Sequence, residues 1–90
     1  MRESTVEREL VTEAKKRGGF ALKFVSPGLD GVPDRLVLFP GGRLAFVELK
    51  APGKKMRPLQ VRRAEQLRAL GFRVYCVDNK ERHCKVKMKK

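Results

Sequence analysis

Near the start of the chain, apolar residues recur at helical spacing: Val6, Leu10, Val11 and Ala14. This predicts an amphipathic helix over about Ser4 to Arg17. Ser4 followed three places on by Glu7 fits a capping box, Lys15, Lys16 and Arg17 suit the negative end of the helix dipole, and Gly18-Gly19 ends the element. The pattern then shortens. Phe20 to Val25, about Asp34 to Phe39 and about Leu44 to Lys50 read as three strands. Pro27-Gly28 and Asp30-Gly31 mark the turn between the first two, and Pro40-Gly41-Gly42 joins the others. Pro58 suits the first position of a second helix, whose inward stripe would be Gln60, Ala64, Leu67 and Leu70, with Gly71 closing it. Arg57, Arg62, Arg63 and Arg68 lie mostly off that stripe and read as solvated. A fourth strand alternates over Phe72 to Val77. The segment 78–90 is basic and weakly patterned, either a tail or a short edge strand over Cys84 to Met88.

The order is therefore α-β-β-β-α-β over a single domain spanning 1–90. The Pro-Gly-Gly connection makes an antiparallel hairpin, and the second helix permits a crossover to a parallel fourth strand. The result is an α/β fold with a mixed four-stranded sheet flanked by helices. The strand over Leu44 to Lys50 is apolar on both faces, with Leu44 and Phe46 on one and Ala45, Val47 and Leu49 on the other. It reads as a central, doubly covered strand.

Three charges interrupt this apolar pattern. Glu48 and Lys50 share a face because residues two apart in a strand do. Asp34 leads into the neighbouring strand with Leu36 and Leu38 on its own face. Charges at the end of a buried strand need a partner or a function. Register decides whether they meet. A two-residue turn, pairing Pro40 with Arg43, would put Asp34 and Glu48 on opposite faces. A three-residue loop, pairing Phe39 with Arg43, sets them directly opposite each other, and a loop closing Pro40 on Leu44 or a bulge that corrects the phase also serves. With that loop, two carboxylates and an ammonium converge at one end of a hairpin.

Composition narrows the partner. The 90 residues contain 22 Lys+Arg against 10 Asp+Glu, a formal net charge of +12, which favours polyanions. No apolar run approaches the ~18–20 residues of a membrane span, and the first residues lack the apolar stretch of a signal peptide. Cys76 and Cys84 show no metal-type spacing, which points to a reducing cytoplasm and makes Cys76 a core residue. Zinc on Cys76, His83 and Cys84 does not fit structural spacings. No aromatic series for single-strand stacking is present, and the lone histidine gives no acid–base pair.

Two carboxylates beside a lysine suit phosphodiester hydrolysis, in which Mg²⁺ or Mn²⁺ is held by a few hard oxygens. Asp34 and Glu48 supply two, and the Leu49 backbone carbonyl between Glu48 and Lys50 offers a third. Lys50 would orient a water or stabilise developing negative charge. Gln60, heading the inward stripe, either reaches the site or makes a local first-turn hydrogen bond. Lys54, Lys55, Arg57, Arg62 and Arg63, with Lys85, Lys87, Lys89 and Lys90, would bind phosphates without reading sequence.

Gly31-Val32-Pro33-Asp34, then Glu48-Leu49-Lys50, then Gln60 at the head of a helix resemble the VRR-NUC family of the PD-(D/E)xK nuclease superfamily, over Glu7 to Val77. The resemblance implies a restriction-endonuclease-like core. It implies metal on Asp34 and Glu48, a catalytic Lys50, a helix-borne Gln60 and an acidic Glu7 that joins the site. It further implies a homodimer acting on branched DNA such as four-way (Holliday) junctions, in bacterial or phage-infected cells. A catalytically silent nucleic-acid-binding module, and a subunit of a larger nuclease complex, are the rival expectations.

Overall fold

A computed structural model describes residues 3–50 and 54–77, with side chains from Glu7 onward. The elements run α1 (Glu3–Lys16), β1 (Phe20–Lys23), β2 (Arg35–Phe39), β3 (Arg43–Leu49), α2 (Pro58–Ala69) and β4 (Arg73–Val77). The order is the one predicted, and no boundary shifts by more than two residues. The Ser4 capping box and everything from residue 78 onward, including Cys84 and His83, lie outside the described side chains.

The four strands form one sheet in the order β1-β2-β3-β4. β1 to β3 are antiparallel neighbours, and β3 pairs with β4 in parallel. The hairpin register follows from its loop. Phe39 pairs with Arg43 and Arg35 with Val47, leaving Pro40-Gly41-Gly42 as a three-residue connection. Gly41 and Gly42 sit at φ 87 and φ 76, a left-handed backbone that a side chain would strain.

α1 packs on one face of the sheet against β1, β2 and β3. Leu10 and Ala14 meet Val37, Val47, Leu49 and Val77 there, all buried. This is the main core. α2 packs against β4 on the opposite face, where Ala64 and Val74 are buried. That second cover is incomplete. Leu44 and Phe46 are only half-buried, so β3 is central in the sheet but not doubly covered along its length. Leu70, placed on the inward stripe from sequence, is 73 % exposed, because α2 ends at Ala69 before the stripe returns to the sheet. Cys76 is exposed rather than a core residue: β4 is the last strand of the sheet among the described residues, and only Val74 and Val77 of it are fully covered.

The turn from α1 into β1 is tight. A Cβ on Gly19 would run into the backbone carbonyl of Leu38 on β2. Gly19→Ala should therefore destabilise the fold by ~1–3 kcal/mol through overpacking. Gly28→Ala, at a glycine with open space around its Cα, should stay within ~0.5 kcal/mol of wild type. Urea unfolding of the two variants makes the comparison.

Candidate active site

The β2–β3 register, carried one step past Arg35 and Val47, sets Asp34 opposite Glu48. Their carboxyls share the sheet face that also carries Leu36 and Phe46. A cross-strand bond holds the pair together: the Leu49 N–H donates to Asp34 Oδ1 at 3.3 Å. The Asp34 carbonyl accepts from the Phe24 N–H at 2.9 Å, and the Lys50 N–H donates to the Val77 carbonyl at 2.9 Å. The backbones carrying all three charges are thus tied into the sheet on both sides.

Glu48 is buried at 4 % exposure. Its Oε2 accepts from Gln60 Nε2 at 2.9 Å and lies 3.4 Å from Lys50 Nζ. Its other oxygen, Oε1, is buried with no hydrogen-bond partner among the described residues. Removal from water pushes the Glu48 carboxyl above its ordinary pKa, and the charge of Asp34 adds to that, while Lys50 works against both. A second carboxylate close by and an oxygen with nothing to bond make an electrostatic deficit that a cation would relieve.

Gln60 combines both roles considered from sequence. Arg57 occupies the N-cap of α2 with extended backbone, and an arginine side chain offers no acceptor to the first turn. Gln60 compensates in part, its Oε1 accepting the Arg57 N–H at 2.8 Å. The same amide spends its N–H on Glu48. The start of α2 and the orientation of Glu48 are therefore set by one buried side chain, 6 % exposed.

Glu7 takes a different position. Its Oε2 lies 3.1 Å from an Arg35 guanidinium nitrogen. The described residues contain no group of three or more His, Cys, Asp or Glu placed to share a metal ion. Glu7 thus contacts the site through Arg35, a residue the sequence reading did not single out. Arg35 begins a run, Arg35-Val37-Phe39, on the face toward α1. A charge leading an otherwise buried face was the available signal.

Among the candidate phosphate-binding residues, Lys54, Lys55, Arg57 and Arg62 are exposed. Arg63 is half-buried, donating from Nε to the Asp30 carbonyl at 2.7 Å, and Arg68 donates to the Val74 carbonyl at 2.6 Å. These two anchor α2 to the loop before Asp34 and to β4, so they are not freely solvated as expected from the stripe.

No family model matches the chain. The sequence is 52 % identical over 81 residues to "Putative nuclease p44" of Acyrthosiphon pisum secondary endosymbiont phage 1, an alignment covering 90 % of this chain and 87 % of that protein. A solved structure described as a VRR_NUC domain superposes with a TM-score of 0.85 at 31 % identity, covering 96 % of this chain and 94 % of that one. Both likenesses run through the strands and helix that carry Asp34, Glu48, Lys50 and Gln60, and at this identity and coverage the chain belongs to the VRR-NUC family.

Proposed function

We propose that this protein is a divalent-metal-dependent DNA endonuclease that hydrolyses phosphodiester bonds and prefers branched DNA such as four-way (Holliday) junctions. The observation that carries the reading is the buried Glu48 Oε1, without a hydrogen-bond partner among the described residues, on the face shared with Asp34. The donors there are all hard oxygens, which fits Mg²⁺ or Mn²⁺. Asp34 Oδ2, Glu48 Oε1 and the Leu49 carbonyl are the groups that would hold the ion. When bound, it would activate a water and hold charge on the phosphoryl oxygens.

The chain's own groups do the rest. Lys50 stands on the same side of β3 as Glu48, its side chain 18 % exposed, where a positive charge acts strongly on a developing oxyanion. Gln60 holds Glu48 by its Oε2, which leaves Oε1 free for the ion. Lys54, Lys55, Arg57 and Arg62 bring the phosphate backbone to the site, so binding should weaken steeply with salt and vary little with base sequence.

Preference for branched DNA rests on the family resemblance and on a two-fold argument. Among the described residues, the sheet face that α2 covers in part keeps an exposed apolar area. Phe20 and Phe72 are 52 % and 39 % exposed, and Phe24, Phe46 and Phe72 run across it edge to face, with centroids 5.8 and 5.7 Å apart. Away from Asp34 and Glu48 the exposed side chains of this face, Phe20, Leu22 and Phe72, are apolar, and an apolar sheet face can be its own complement about a two-fold axis. A second copy seated there would supply two related sites for the two related strands of a junction. Leu22→Lys, on this face, should shift the sedimentation mass from dimer to monomer; a wild type that is already monomeric removes this part of the proposal.

The test of the activity is a cleavage assay on duplex, flap, single-stranded and four-way substrates with Mg²⁺ or Mn²⁺. Metal-dependent cutting, fastest on the four-way substrate, is the expected result. DNA binding with no cleavage under any of these conditions would leave a silent binding module or a subunit of a larger complex.

A further inference from the structure

Arg35 is 7 % exposed in a core that otherwise holds aliphatic side chains. A buried arginine is costly unless its partners justify it. Its partners are two acids from different elements and one backbone group. One terminal nitrogen lies 3.1 Å from Glu7 Oε2 on α1. The other donates to the Asp34 carbonyl at 3.0 Å and stands 3.6 Å from Asp34 Oδ2. Its Nε is buried without a hydrogen-bond partner among the described residues. The guanidinium is therefore shared unequally: close to Glu7, looser on the Asp34 carboxylate.

That inequality matters for Asp34. Its Oδ1 is taken by the Leu49 N–H, so Oδ2 is the oxygen left for a cation. A guanidinium closing on Oδ2 would occupy that oxygen and place a positive charge where the ion must sit. We infer that Glu7 acts as a tether on Arg35: it draws the guanidinium toward α1 and so keeps Asp34 Oδ2 open to a divalent ion. Glu7 and Arg35 are then positioning residues, Glu7 acting on the site only through Arg35. This rests on the metal-dependent reading above and assigns Glu7 a role other than a direct ligand.

A double-mutant cycle read by calorimetric titration with Mn²⁺ alone tests it. Glu7→Gln frees Arg35 to close on Asp34, and Mn²⁺ affinity should fall ~10-fold, within the range for loss of an outer-shell partner. In an Arg35→Met background no guanidinium remains to close, and the same Glu7→Gln change should leave Mn²⁺ affinity unaltered within twofold. An equal ~10-fold loss in both backgrounds makes Glu7 a direct ligand and overturns the inference. If Arg35→Met fails to fold, a crystal structure of Glu7→Gln decides instead. The contact from Arg35 to Asp34 Oδ2 should shorten to about 3 Å, a hydrogen-bonding distance; a guanidinium left where it is, or moved away, overturns the tether. Absence of Mn²⁺ binding by the wild type would remove both this inference and the reading it rests on. Wild-type binding with equal losses in the two backgrounds would remove this one alone.

Discussion

Replacing Lys50 by alanine is expected to lower the DNA cleavage rate by ~10²–10⁴-fold, the scale associated with a positioned acid–base group or a charge aimed at the transition state. DNA affinity should change by no more than a few-fold, since one exposed contact at most is lost among several phosphate contacts, and the slope of log affinity against log salt should fall by at most ~1. The split follows from position. Lys50 Nζ is directed at Glu48, whereas Lys54, Lys55, Arg57 and Arg62 are exposed. Removing Lys50 also takes away the cation that lowers the Glu48 pKa, so thermal unfolding should accompany the assay. Lys50→Met keeps the stem that packs along the strand and should fold as well as wild type while cutting as poorly as Lys50→Ala. Asp34→Ala should be equally inactive. Cleavage by Lys50→Met within tenfold of wild type would exclude Lys50 from the chemistry.

Glu48→Gln is expected to stabilise the metal-free protein while abolishing cleavage. Few buried-residue substitutions raise stability, so the combination is diagnostic. In the folded chain Glu48 holds its proton more tightly than in the unfolded chain, because burial and Asp34 both oppose its charge. The folded state therefore binds more protons through this group. Its contribution to stability is complete below the unfolded pKa, about 4.3, and declines as pH rises toward the folded value. At neutral pH the metal-free wild type carries that loss. E48Q does not, and its amide oxygen can still accept from Gln60. A gain of ~1 kcal/mol, the lower end of the cost of an unsatisfied buried group, corresponds to a Tm increase of about 4–8 °C for a domain of this size. Melting curves from pH 4 to 8 should show the gap between wild type and E48Q widening with pH. Added Mg²⁺ should narrow it by stabilising wild type alone. A variant that melts lower than wild type throughout this range would mean that the carboxylate is a structural partner of Lys50 and Gln60, with no unmet demand for a cation.

The hairpin was readable because its consequences are discrete. Strand side chains alternate with a period of two, so a loop of three residues and a loop of two give opposite answers about Asp34 and Glu48. A shared face requires the three-residue loop, its neighbour closing Pro40 on Leu44, or a bulge that corrects the phase, and the Phe39–Arg43 pairing is the first of these. Gln60 was placed by helical spacing, but its two simultaneous bonds, to the Arg57 N–H and to Glu48, depend on where α2 sits over the sheet. Periodicity was least informative at edges. Cys76 alternates like a core residue, yet β4, the last strand among the described residues, lies under a short helix and is covered only in part. Leu70 continues a stripe that the helix does not live to complete.

Order of elements, alternation of strand side chains and the basic balance of the chain are local properties, written in spacing and composition, and they narrow which charges can meet. Two things required the assembled molecule. One is the incomplete cover of the second sheet face, which depends on how far α2 reaches. The other is Arg35, whose role arises from contact with Glu7, 28 positions earlier in the chain. Burial and long-range ion pairing are set by which elements come to lie against each other, and no pattern within a single element carries that information.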